Sequence, residues 1–237
     1  MIKTAFLWGG AGVFALLLVA CGKPKPEPLV PVEVTNFQEL YMSNCSGCHG
    51  DNGMHGAAQS LNNAVYLALI PKQTLRQIIA NGVTGSLMPG FSKASGGDFS
   101  DNQINIVTDG IEKWANPGSL QTAALPPYSS KSQGDATAGA QTFQTACASC
   151  HGKDGSAGSL TGESFLQLAT DQSLRTATIA GRPDLGMPDW RHDLPQHTLS
   201  DSEIDNVVAY IGAARSGPLT PDQPSATGGS SSTGGNN

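Results

Sequence analysis

Cys45-Ser46-Gly47-Cys48-His49 decides how the chain is read. Two thiols three positions apart, followed at once by an imidazole, fit c-type haem attachment better than any other chemistry. On a helical turn the two sulfurs can reach the two vinyl groups of one porphyrin edge, while the adjacent histidine turns inward as the proximal iron ligand. The same order recurs at Cys147-Ala148-Ser149-Cys150-His151. Of the 5 cysteines, four lie in these motifs, and Cys21 belongs to a separate N-terminal signal, so no thiol is left for a disulfide. The expected cofactors are two covalently bound haem c groups. Cys45, Cys48, Cys147 and Cys150 would be the attachment residues, with His49 and His151 as proximal ligands.

Two other uses of these cysteines fit less well. A single zinc site built from both pairs would need ligands about a hundred residues apart and would ignore both histidines. A thioredoxin-like redox pair belongs inside a βαβ pattern, and the flanking segments have no strand periodicity.

Outward from the first motif, Phe37, Leu40 and Tyr41 form an apolar stripe at helical spacing that leads directly into Cys45. A turn-rich loop, Gly50 to Gly56, follows His49, and Met54 and His55 are read as loop residues. Leu75, Ile78 and Ile79 mark a helix that stops at Asn81-Gly82. In Leu87-Met88-Pro89-Gly90-Phe91 the proline disfavours helix at Met88, which leaves a flexible thioether on extended backbone. A closing helix carries Ile104, Val107, Ile111 and Trp114, with Ser100-Asp101 as its capped, acidic start.

The second half repeats this order. Phe143 stands before Cys147 as Tyr41 does before Cys45, and Leu174-Arg175, Gly181, Met187-Pro188 and Trp190 match Leu75-Arg76, Gly82, Met88-Pro89 and Phe91. Ile204, Val207, Val208 and Ile211 form its closing helix. The first half places large Phe37 where the second has Gly139, and small Gly110 where the second has Tyr210, an exchange that would preserve the volume of a helix crossing in each. Arg76 and Arg175 are candidates to pair with a haem propionate, with a solvated helix face as the alternative. His192 and His197 flank the second methionine loop, where either could replace the thioether.

Each half resembles a class I cytochrome c domain, and the pair resembles the dihaem cytochrome c4-like proteins. The resemblance implies an all-α fold of two tandem domains, each wrapped around one covalently attached haem, with its first and last helices crossing. It also implies His49 and Met88 on one iron, and His151 and Met187 on the other.

The N-terminus has one basic residue, Lys3, and an apolar run from Ala5 to Ala20 that is short for a membrane span. It ends in Leu18-Val19-Ala20-Cys21, which resembles the lipobox of bacterial lipoproteins. That resemblance implies cleavage before an acylated Cys21 that enters the lipid bilayer, with an uncleaved membrane helix as the alternative. The expected organisation is a signal peptide over 1–20, acylated Cys21 and a Pro-rich spacer over 21–36, cytochrome domain 1 over 37–115 and a linker over 116–138. Domain 2 follows over 139–215 and a disordered Gly/Ser-rich tail over 216–237. The linker permits docking of the two domains without obliging it.

The formal net charge of −6 argues against a nucleic-acid partner. With both irons six-coordinate no substrate position stays open, and the expected function is transfer of single electrons between redox protein partners in a respiratory or photosynthetic chain. The protein would act as a carrier or as a subunit of a larger complex, lipid-anchored in a bacterial cell envelope and facing the periplasm or the outer side. The alternative is a dihaem redox enzyme, a peroxidase or a sulfur-compound oxidoreductase, with one displaceable ligand.

Overall fold

In the first repeat, α1 (Phe37–Asn44) starts where the Asn36 side chain accepts the Glu39 N–H at 3.0 Å. It runs into the one-turn α2 (Ser46–His49), which holds the first motif. α3 (Ala64–Leu69) is capped by Asn63, whose Oδ1 accepts the N–H groups of Val65 and Tyr66. α4 (Lys72–Asn81) follows Pro71 and ends at Gly82, where φ is 75°. α5 (Asp101–Glu112) opens with a reciprocal capping box between Ser100 and Gln103. These features come from a computed structural model that describes residues 33–115, 125–152, 155–194 and 197–215. The expected leader, Cys21, nearly all of the spacer, the first part of the linker and the tail lie outside the described residues.

The second repeat begins with α6 (Ala136–Thr142), capped by Asp135. A π-helical turn over Phe143–Cys147 leads into α7 (Ala148–His151), which holds the second motif. α8 (Glu163–Leu166), α9 (Asp171–Ala180) and α10 (Asp201–Gly212) complete it. α9 ends at Gly181 with φ 64°, and α10 starts with its own capping box, Ser200 with Glu203. The fold is all-α, two tandem repeats, and among the described residues extended pairing is limited to isolated bridges.

In each repeat the first helix crosses the last. A Cβ on Gly110 of α5 would lie 2.1 Å from the Phe37 ring of α1, so α5 is small where α1 is large. In the second repeat a Cβ on Gly139 of α6 would lie 1.9 Å from the Asn206 carbonyl oxygen of α10, and Tyr210 supplies the bulk by stacking on Phe143 at 5.1 Å. The exchange of large and small residues read from sequence is therefore built into both crossings.

The residues from Val34 onward belong to one compact unit. A continuous apolar core joins Leu61, Val65, Tyr66 and Leu69 of the first repeat with Ile179, Ala180, Trp190 and Leu199 of the second. α3 packs on α9, and the buried Asn63 side chain donates to the Ala180 carbonyl at 3.0 Å. The two repeats are docked. Phe143, Leu166, Leu174, Val207, Val208 and Ile211 form a smaller separate core in the second repeat.

The second part of the linker is tied down. Pro126 is buried, and Leu125 and Tyr128 pack against the shared core. Arg175, 2% exposed, donates to the carbonyls of Pro127 and Tyr128 and pairs with Asp201 and Asp205. This corrects the expectation of a cation for a propionate, because all the donors of the Arg175 side chain that find partners turn to these carboxylates and carbonyls. Arg76 likewise binds Asn105 and Asp101 on the surface, the second of the two readings considered for it.

Candidate functional site

The two motifs have nearly the same backbone. Cys45 has φ −118° and ψ −35°, Cys147 φ −117° and ψ −33°, and each breaks the helix that leads into it and starts a new turn. The His49 N–H donates to the Cys45 carbonyl at 3.0 Å. That single turn carries both cysteines and the histidine. None of the four motif cysteines is in a disulfide; Cys48 and Cys150 are exposed and Cys45 buried. Burial holds the Cys45 thiol up at about 11, with Cys48 beside it adding to the shift. Burial, with Asp193 nearby, raises Cys147 to about 12.

Each histidine is fixed by its Nδ1. His49 Nδ1 lies 2.7 Å from the Gln59 carbonyl oxygen, and His151 Nδ1 lies 3.0 Å from that of Gly158. An imidazole that donates Nδ1–H to a carbonyl keeps the lone pair on Nε2 for a metal, the usual outer-shell arrangement of a histidine ligand. His49 is buried and its pKa is lowered, chiefly by desolvation, with the Arg182 charge contributing in the same direction. His151 is only partly buried, so the second site is the more open. Two thiols and an Nε2 on one turn are the donor set of covalent haem. Among the described residues no three His, Cys, Asp or Glu side chains are grouped to hold a metal ion, which leaves the zinc reading without a site.

The methionine loops are equally duplicated. The Val83 N–H donates to the Met88 carbonyl at 3.0 Å, and the Arg182 N–H to the Met187 carbonyl at 3.0 Å. Gly82 and Gly181 have positive φ, and a Cβ there would lie 2.6 Å from Met88 O and 2.3 Å from Pro188 O. Only glycine admits so close a return of each methionine loop to its helix end. Both methionines are partly buried on non-helical backbone. His192 and His197, the other ligand candidates, are mostly exposed and bind Asp189 and Glu203 respectively. Met54 and His55 are loop residues, as read from sequence.

Sequence reasoning missed Asn63, Arg182 and Asp184, which join the repeats. Asn63 stands before the apolar run of α3, a capping signal in plain view. Its second role, toward Ala180, has no local signature.

Two motifs on helical turns, each followed by a methionine loop within an all-α repeat, define a tandem c-type cytochrome. The family described as cytochrome c oxidase, cbb3-type, subunit III, matches residues 32–109 and 134–211, and the chain belongs to that family. No curated protein matches the chain. Among solved structures, a chain of the Kuenenia stuttgartiensis reducing HAO-like protein complex Kustc0457/Kustc0458 is 16% identical, covering 78% of this chain and 99% of that one, with a TM-score of 0.45. Cytochrome c domains imply covalent haem c and electron transfer.

Proposed function

We propose that the protein holds two haem c groups and passes single electrons between redox proteins. One haem would be attached through Cys45 and Cys48, with His49 and Met88 as axial ligands. The other would be attached through Cys147 and Cys150, with His151 and Met187. When bound, each group supplies a one-electron iron couple, and a thioether ligand raises its potential. The protein's part is to hold each imidazole by its Nδ1, keep each methionine on a loop bound back to its helix end, and bury His49 and Cys45 at the first site.

The observation that carries this reading is the pair of motif turns that start alike at Cys45 and Cys147, each with its histidine Nδ1 committed to a carbonyl. The family description favours a membrane-bound terminal oxidase as one partner, with this chain as a carrier to it or a subunit of it. Cys21 in its lipobox-like setting supports a lipid anchor in a bacterial cell envelope, on the periplasmic or outer side. Among the described residues no helix is long and apolar enough to cross a membrane.

The test is a spectroscopic redox titration of the purified holoprotein. Two haems per chain, both low-spin and with the far-red methionine-to-iron band, are expected. A high-spin component, or one haem per chain, would overturn the carrier and point to a redox enzyme with an open iron. Cys21→Ser is expected to move the protein from the membrane to the soluble fraction.

A further inference from the structure

The repeats differ at one place beside the first motif. The Ala58 N–H donates to Cys48 O at 2.9 Å, and Ala157 N–H makes the equivalent bond to Cys150 O at 3.0 Å. The loop between is three residues longer in the first repeat, nine positions from His49 to Ala58 against six from His151 to Ala157. A Cβ on Gly56 would lie 2.2 Å from Cys48 O and one on Gly155 2.1 Å from Cys150 O, so the extra residues lie between His49 and Gly56.

That stretch is what the second repeat grips. The His55 N–H donates to Asp184 Oδ2 at 2.8 Å, and Arg182 Nη2 donates to the Gly56 carbonyl at 2.8 Å. Arg182 also chelates Asp184 through Nε at 3.0 Å and Nη2 at 2.9 Å. The pair is shielded, with 12% of the Arg182 side chain and 2% of the Asp184 side chain exposed. His55 has φ 63°, the only left-handed non-glycine among the described residues, and such a residue persists where its surroundings hold it. In the first repeat Val83 and Gly85 stand where Arg182 and Asp184 stand in the second, so the grip runs in one direction. Three residues beyond Gly56, Gln59 O accepts from His49 Nδ1 at 2.7 Å, so the gripped loop runs directly into the carbonyl that orients the imidazole.

We propose that Arg182 and Asp184, carried by the second repeat, are positioning residues for the first haem: they hold the loop behind His49 and their paired charges set that haem's reduction potential. The inference rests on the haem reading above. Arg182 also bonds Met187 through its backbone in both directions, so the same residue stands in the ligand loop of one site and against the proximal loop of the other.

The sign of each charge makes the test specific. A nearby cation favours the ferrous state and an anion the ferric. Arg182→Gln leaves Asp184 unbalanced and is expected to lower the potential of the first haem. Asp184→Asn leaves Arg182 unbalanced and is expected to raise it. The double variant is expected to return toward the wild-type value, and Arg182→Lys to stay close to it. Potentials are read by titration of the holoproteins, with the second haem assigned through the altered spectrum of Met187→Ala. Equal shifts of one sign in both single variants, with the double variant worst, would reduce the pair to an interdomain fastener and overturn the proposal, as would unmoved potentials. Absence of haem mass at Cys45 and Cys48 would instead overturn the haem reading itself.

Discussion

Single residues are where the two repeats part company. Asp193 sits in the second repeat beside Asp189, and desolvation first, then the Asp189 charge, raises its carboxyl to about 7. Asp189 is offset by Arg191 and His192, whereas Asp193 has no such cation beside it among the described residues. A carboxyl raised in the folded state holds its proton there more tightly than when unfolded. Its neutral form therefore costs nothing below about pH 4, and the fold loses stability as pH rises from there through about 7. Asp193→Asn is expected to raise the melting temperature of the holoprotein above pH 7 and to flatten its fall between pH 4 and 7, with no gain at pH 4. A thermal melt series over pH checks this.

At the scale of elements, the helix crossings show how far sequence reading reaches. Helix α4 over 72–81 with its glycine stop, both closing helices with their serine caps, and the exchange of Phe37 and Gly110 for Gly139 and Tyr210 could be read because each has a local cause: a period, a cap, a volume. α3 and α8 escaped because they are short and lean on distant partners, and the π turn at Phe143–Cys147 leaves no mark in composition. The burial of Arg175 escaped for the same reason, since its acceptors come from the linker and from α10. The crossings themselves make a prediction. Overpacking a crossing costs about 1–3 kcal/mol. Gly139→Ala is expected to cost more than Gly110→Ala, because its Cβ runs into the α10 backbone at Asn206 as well as Tyr210 Cβ, whereas that of Gly110 meets the Phe37 ring. Phe37→Leu is expected to recover part of the loss in Gly110→Ala and none of it in Gly139→Ala, as read in a double-mutant cycle of denaturant midpoints.

For the whole molecule, the decisive fact is that the linker and the second repeat share a buried charge. Arg175 links Asp201 and Asp205 at the start of α10 with the carbonyls of Pro127 and Tyr128. Breaking a buried ion pair by removing one partner costs about 3–5 kcal/mol, because the other charge is left uncompensated. Arg175→Met is expected to destabilise the protein by that order and to speed proteolysis between residues 125 and 135. Arg175→Met with Asp205→Asn is expected to recover stability while the linker stays easily cut. A free linker that spares the second repeat would show that docking is held by the direct contacts between the repeats and not by the linker.

The grip of the second repeat on the first has a meaning for assembly. Two copies of one unit that meet through unlike surfaces make a head-to-tail contact, and among identical units such a contact can propagate into rings or filaments. Here only the leading unit carries the lengthened loop, and only the trailing unit carries the arginine and aspartate that receive it. Lock and key have been divided between the duplicates, so neither repeat carries both halves of this contact.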